Sequence, residues 1–213
     1  MEPRPPNVCD PVQVPNDHSP QDWDARYDEE AQIWSGNPNQ ALVDEVAALS
    51  PGTALDVGCG EGADAIWLAR QGWAVTAIDI SKVALNRARA AAEQVEIDID
   101  WQEGSIEQVE GLTFDLVAAS YLPLHKEGPG LAHLLEAVAP GGTLFVVHHA
   151  EFDPERAKAH GFDPADYLTV DEIAADLGPG WEVGVHERRG REISGGAGAH
   201  HHEDVVLRAR WVG

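Results

Sequence analysis

From Thr53 onward the apolar positions alternate between two periods. "TALDVGC" reads as a buried strand, and "EGADAIWLARQG" reads as a helix stopped by Gly72. "WAVTAIDI" is strand-like, and "SKVALNRARAAAEQ" is helix-like with Ser81 as its N-cap. "VEIDIDW" alternates as a strand, "FDLVAAS" reads as a buried strand, and "GLAHLLEAVA" as a helix closed by Pro140, Gly141 and Gly142. "TLFVVHH" is a fifth strand, and "TVDEIAADLG" is a helix capped by Thr169. "WEVGVHE" and "EDVVLRARW" close the chain as two more strands, joined by a loop that contains "GGAGA". Strands alternating with helices predict an α/β fold, a mostly parallel sheet with helices on both faces.

Ahead of this alternation stand two helical stretches. In "QDWDARYDEEAQIWSG", Trp23, Tyr27, Ile33 and Trp34 fit one apolar helix face. In "NPNQALVDEVAAL", Leu42, Val46 and Leu49 fit another, with Asn37 or Pro38 near its start. Residues 1–20 hold six prolines and few large apolar side chains, so they predict an extended or disordered arm ahead of one domain, 21–213.

Composition changes this picture in three places. Lys and Arg total 14 against 37 Asp and Glu, a formal net charge of −23, which disfavours a nucleic-acid partner. The two cysteines, Cys9 and Cys59, do not suggest a disulfide framework. No apolar run approaches transmembrane or signal-peptide form, so no membrane partner and a cytoplasmic location are expected.

The turn after the first strand, "LDVGCGEGADAIWLA", carries Asp56 and then Gly58, Gly60 and Gly62. Glycines let a strand-to-helix turn fold sharply and approach a ligand closely. Asp79, seventeen residues past Gly62, closes the second strand, where a carboxylate can accept hydrogen bonds from ribose hydroxyls. A ligand-free tight turn and a helix cap are the bland alternatives for these residues. Three glycines beside two placed acids make them the weaker ones.

With this D-x-G-x-G-x-G turn and the acid after it, the sequence resembles the class I S-adenosylmethionine-dependent methyltransferases, over roughly residues 40–150. "FDLVAAS" and "APGGTLFVV" also look like that family, and the "WDARYDE…WSGNPN" entry resembles the small bacterial tellurite-resistance and thiopurine methyltransferases. The resemblance implies a Rossmann-like doubly wound sheet of seven strands in the order 3-2-1-4-5-7-6, the last strand antiparallel, under an N-terminal helical lid. It implies S-adenosylmethionine as cofactor and a small-molecule methyl acceptor, with nitrogen, oxygen, sulfur or a metalloid as the accepting atom. The amino-acid end of the cofactor would meet Asp56, Gly58, Cys59, Gly60 and Gly62. The ribose would meet Asp79 and the adenine Ile80, Ser105 and Ile106, with Ser120 at the end of the fourth strand nearby. Ser105 stands where an acid is common, which leaves its backbone for the adenine. A monomer or homodimer is expected.

Five histidines fall in two clusters, His148–His149 and His200–His202. The triplet is no terminal tag, since an amphipathic stretch follows it at once. In the implied strand order the end of the fifth strand lies beside the start of the seventh, so the clusters should meet near the acceptor, with His125 on the same edge. His125, His148, His149 and His201 are therefore candidate general bases, because imidazole titrates near neutral pH. Polar shaping of the pocket is an equal alternative. A divalent metal on His148, His149, His200, His201 and His202 is a third, although adjacent strand residues diverge. Trp34, Tyr121, Arg188 and Arg191 are candidate acceptor contacts, the arginines as clamps for an anionic group. Surface ion pairing is their simpler reading. A cofactor-binding module that regulates a partner and transfers nothing is the rival function. An open, polar acceptor pocket would count against it.

Overall fold

A computed structural model describes residues 19–151, 163–191, 196 and 201–213. Seven strands form one sheet: β1 (Thr53–Val57), β2 (Ala74–Asp79), β3 (Asp100–Glu103), β4 (Phe114–Ser120), β5 (Val138–His149), β6 (Trp181–Gly190) and β7 (Glu203–Trp211). Their order is β3-β2-β1-β4-β5-β7-β6. The first five are parallel, and β7 runs antiparallel to both β5 and β6. This is the order the sequence implied.

Period-two alternation divides the core. Leu55, Val117, Ala119, Leu144, Val146 and Leu207 face one way and pack on α5 (Gly130–Glu136) and α6 (Val170–Asp176) through Leu134, Val170 and Ile173. Ala54, Leu116, Ala118, Phe145 and Val206 face the other way, onto α2 (Gln40–Val46) and α3 (Ala63–Arg70) through Leu42, Val46 and Leu68. Each such leucine, fully buried, is worth ~1.5–3 kcal/mol of transfer free energy. With both sides of the central strands covered, every polar group of interest is driven to the strand ends.

The helices differ from expectation mainly at their ends. Ser81 caps α4 (Lys82–Gln94), its hydroxyl accepting from the Ala84 amide, and Thr169 and Glu172 form a capping box on α6. Asn39, not Asn37 or Pro38, caps α2 by accepting from the amides of Ala41 and Leu42. The third strand begins only at Asp100, so the alternation of 95–99 does not pair. Val138 already joins β5 opposite Phe114, which ends α5 earlier than its apolar pattern suggested.

The lid departs most. α1 (Pro20–Glu29) starts at Pro20 with Ser19 as N-cap, inside the segment expected to be an arm; residues 1–18 lie outside the described residues. It stops at Glu29, so Ile33 and Trp34 are not helical. The Glu61 carboxylate accepts from the Ile33 and Trp34 amides at 3.2 and 3.0 Å and turns the chain back. Tyr27, Ile33 and Ala84, with Trp23 and Trp34 against them, still form one small core, now between lid and α4. Asp24 accepts from the Ser81 hydroxyl and the Val83 amide, placing its charge at the positive end of α4. Arg87 of α4 ties the lid from below, donating to the Tyr27 and Glu30 carbonyls and pairing with Glu61.

Candidate functional site

A cavity of about 460 Å³ opens at the carboxyl ends of β1, β2 and β4, under the lid. One end is built by the glycine turn. Gly58, Gly60 and Gly62 all have positive φ, +71°, +52° and +82°. At Gly62 a side chain is excluded twice, because a Cβ would also fall 2.7 Å from Trp101. The Gly60 amide donates to Asp79 Oδ2 and the Ser81 amide to Asp79 Oδ1, both at 2.8 Å. That fixes the carboxylate at the cavity wall while each oxygen keeps capacity for a second donor.

Three aspartates line this end, Asp56, Asp64 and Asp79, and Glu61 and Glu107 are also in the cavity wall. Asp64 accepts from the Asn39 amide at 2.6 Å and the Ser120 hydroxyl at 2.8 Å. Asp56 is buried, and its Oδ2 meets no hydrogen-bond partner among the described residues. Burial, with Asp64 and Asp79 close by, pushes the Asp56 carboxyl well above the usual range. Burial raises Asp64 and Asp79 too, against the hydrogen bonds that favour their charged forms. Such a group of acids around an orphaned oxygen suits a ligand that brings positive charge and N–H donors. The ammonium and sulfonium of S-adenosylmethionine fit that requirement. Cys59 also lines the cavity, but burial beside two acids raises its thiol, so it is a small wall residue and no nucleophile. Ile80, Ser105, Ile106 and Ser120 line the same end.

The other end collects side chains from distant segments. Trp23 and Trp34 of the lid, Tyr121 to His125 after β4, His149 and Arg191 all face it. Tyr121 sits at φ +58°, a conformation that costs a non-glycine residue free energy and clusters at functional sites. Its hydroxyl donates to Asp204 Oδ2 at 2.8 Å and accepts from Asn39 Nδ2 at 3.0 Å. Burial beside Asp204 keeps this phenol protonated. In the β5–β7 pairing His149 stands opposite Asp204, and its Nδ1 lies 3.0 Å from Asp204 Oδ1. Arg191 Nε pairs with Asp204 Oδ2 at 3.1 Å, and its guanidinium lies over the Tyr121 ring.

The histidine clusters meet as strand order implied, yet they divide their places. His149 lines the cavity and His201 stacks on its far side, rings 3.8 Å apart. Neither His201 nor His202 is part of the cavity wall. β7 begins at Glu203, so the triplet precedes the strand. His148 points away from the cavity and is hydrogen-bonded to the Leu122 backbone; burial holds its imidazole down at about 4, so it is neutral at neutral pH. Its ring centroid lies 6.4 Å from that of His149, the two side chains leaving the strand on opposite faces. Among the described residues no cluster of three or more His, Cys, Asp or Glu is placed to hold a metal. The expected metal set gains no support, and His200 lies outside the described residues. His125 is in the wall, its Nδ1 accepting from the Glu127 amide.

The arginines separate as well. Arg188 belongs to β6, not to the loop after it, and is exposed near Glu151, away from the cavity. Arg189 is drawn into a surface network with Glu45, Glu187 and Asp44. Arg191 reaches the site, but as the partner of Asp204 and not as an open clamp for an anion. Sequence reading passed over Asp64, Asn39, Glu61 and Asp204. For Asp204 a signal existed: in "HHHEDVV" it is the acid that the antiparallel register sets across from His149.

Residues 54–142 match the family model described as a methyltransferase domain. The chain is 37% identical over 121 residues to a protein of Mycobacterium bovis named uncharacterized methyltransferase Mb0092, covering 54% of this chain and 60% of that one. It is 37% identical over 99 residues to the ubiquinone biosynthesis O-methyltransferase of Caulobacter vibrioides, covering 44% and 39%. The chain thus spans under two thirds of the curated relatives it matches. Among solved structures, the one described as "Conversion of a Disulfide Bond into a Thioacetal Group during Echinomycin Biosynthesis" superposes with a TM-score of 0.68 at 25% identity, covering 90% of this chain and 92% of the other. TehB from Haemophilus influenzae superposes with a TM-score of 0.61 at 17% identity, covering 90% and 66%.

Proposed function

We propose that this chain, whose residues 54–142 match a methyltransferase-domain model, is a class I S-adenosylmethionine-dependent methyltransferase that methylates a small uncharged molecule at an O–H or S–H group, with His149 as the base. The observation that carries this reading is that Asp56 and His149 line one cavity. When bound, S-adenosylmethionine supplies a methyl group on a sulfonium, electrophilic toward oxygen or sulfur. Asp56 receives its ammonium and Asp79 its ribose hydroxyls; Ile80, Ser105 and Ile106 bracket the adenine. The lid side chains Trp23 and Trp34 line the cavity, and against a bound cofactor they would help to exclude water.

At the acceptor end, Arg191 is already committed to Asp204, and the three aspartates lie at the other end. Among the described residues an anionic acceptor would meet no uncommitted positive charge there, so a neutral one is favoured. A neutral X–H must lose its proton as X takes the methyl, and the His149 imidazole accepts that proton. Alignment under the lid supplies the rest. The Caulobacter relative is named an O-methyltransferase and the echinomycin structure concerns sulfur, so both accepting atoms have precedent among similar proteins.

The test is to incubate the chain with methyl-labelled S-adenosylmethionine and a panel of phenols, thiols, amines, carboxylic acids, halides and metalloid oxyanions, with and without divalent metal. Label should enter a phenol or thiol, independently of metal, and the rate should fall on acidification. Transfer only to carboxylates or halides would contradict the proposal. So would an unchanged rate and pH profile in His149→Gln.

A further inference from the structure

Asp204 is 4% exposed and lies on β7, one strand away from the cavity wall it supports. Its two oxygens have different tasks. Oδ2 accepts from the Tyr121 hydroxyl at 2.8 Å and is ion-paired with the Arg191 guanidinium, Nε lying 3.1 Å away. Oδ1 faces His149 Nδ1 at 3.0 Å. Asn39 Nδ2 donates to the Tyr121 oxygen at 3.0 Å, which leaves the hydroxyl proton to go to Asp204. With Oδ2 taken by the phenol and paired with the guanidinium, Oδ1 is left to His149, and a carboxylate oxygen accepts from a ring N–H.

We propose that Asp204 is the positioning residue of this site: it holds the proton of neutral His149 on Nδ1 and so gives the ring's lone pair to Nε2. The proposal rests on the reading of His149 as the base. A base must present a lone pair and not an N–H to the acceptor, and the tautomer decides which it presents. One contact opposes this. Arg191 Nη1 lies 3.5 Å from His149 Nδ1 and would call for a lone pair there. The carboxylate contact is half an ångström shorter and joins two charge-complementary groups, while Nη1 has a second acceptor in the His201 carbonyl at 3.4 Å. Among the described residues, the other rings around His149 are Tyr121, 4.3 Å away between centroids, His201 stacked at 3.8 Å, and His148 at 6.4 Å. Tyr121 stays protonated and His148 stays neutral, so Asp204 and Arg191 are the charges that set the tautomer among these neighbours.

The arrangement also ties the two ends of the cavity together. Asn39 donates through its amide to Asp64 and through its side chain to Tyr121, and it caps α2. The lid segment therefore touches the cofactor end and the Asp204 network with one residue.

The experiment is nitrogen-15 NMR of histidine-labelled full chain above neutral pH, the His149 signals assigned by their loss in His149→Gln. Wild type should show the Nδ1–H tautomer in more than about tenfold excess, the ratio one charge-assisted hydrogen bond supplies. That is opposite to the preference of free histidine. In Asp204→Asn the excess should collapse toward parity or reverse. Because that variant leaves Arg191 buried without its counter-charge, the companion variant is Asp204→Asn with Arg191→Gln, which removes the pair as a unit. An Nε2–H tautomer in wild type overturns the proposal without any variant, as does an unchanged tautomer in either variant. Calorimetry with S-adenosylhomocysteine on the same wild-type sample keeps the two ideas apart. Absent binding strikes the functional reading, whereas a wrong tautomer with normal binding strikes only the role of Asp204.

Discussion

The two ends of the cavity are made in different ways. The glycine-turn end is local: Asp56, Gly58, Gly60, Gly62 and Asp64 lie within one strand–turn–helix, and Asp79 closes the neighbouring strand. Backbone amides hold its carboxylates in place. The His149 end is assembled from Asn39, Tyr121, His149, Arg191 and Asp204, five segments that sheet pairing brings near and side-chain contacts tie together. The first is an electrostatic receptor that is incomplete without a cation. The second is electrically satisfied within itself. Variants at the first end should therefore change ligand binding, and variants at the second should change turnover.

The largest expected effect breaks that comparison at its far end. His149→Gln should lower turnover of a phenol or thiol by ~10²–10⁴-fold, the usual weight of a general base, while cofactor affinity stays unchanged. Steady-state kinetics beside calorimetry separates the two. A parallel loss of affinity would mean that the ends are not independent.

Next in size is the ribose contact. Asp79→Ala should weaken S-adenosylhomocysteine binding by ~1–3 kcal/mol, the range for hydrogen bonds to a charged group, as titration calorimetry would read. Asp56→Asn should also lose affinity, yet raise the melting temperature of the unliganded chain, because it removes a buried and partly orphaned carboxyl. A variant that bound normally would place the ammonium elsewhere.

A smaller effect concerns pH. The raised carboxyls of Asp56, Asp64 and Asp79 mean that the folded chain keeps protons the unfolded chain has released. Their contribution is full below the ordinary carboxylate range near ~4 and is lost as pH rises through the raised values. Unliganded stability should thus decline from mildly acid toward neutral pH, and bound cofactor should offset the decline. Thermal melts across that range, with and without S-adenosylmethionine, would show it. A flat profile in both would remove the electrostatic distinction between the two ends.

The smallest effect on either end comes from outside both. Arg189→Ala, which removes one of the partners of the buried Glu45 carboxylate, should cost about 1–3 kcal/mol of stability and leave both binding and turnover alone.

The same contrast explains what could be read in the sequence. The two-sided sheet and the glycine turn follow from short-range signals: period-two apolar runs, cap residues such as Ser81 and Thr169, and glycines at fixed spacing; the strand order came only with the family resemblance that the glycine turn carries. The local end of the cavity was legible for that reason, apart from Asp64, whose burial depends on the Asn39 amide and Ser120. The assembled end was legible only as far as strand order could carry it. Strand order brought His149 and His201 together but could not say that one lines the cavity while the other stacks behind it. It also left the partner of Arg191 open between acceptor and carboxylate. The lid misled for a related reason. Trp23, Tyr27, Ile33 and Trp34 do share an apolar cluster, but the helix ends at Glu29, and Glu61, distant in sequence, makes the turn that brings the last two back.

The claim on which the rest depends is that the three aspartates and the glycine turn form a receptor for S-adenosylmethionine. Titration calorimetry of the full chain with S-adenosylmethionine and S-adenosylhomocysteine tests it directly, with circular dichroism confirming that the protein is folded. Both ligands should bind at one site per chain, with affinity reduced in Asp79→Ala and in Asp56→Asn and retained in His149→Gln. A folded wild-type chain that gives no binding heat with either ligand, at any temperature tried, would contradict the account.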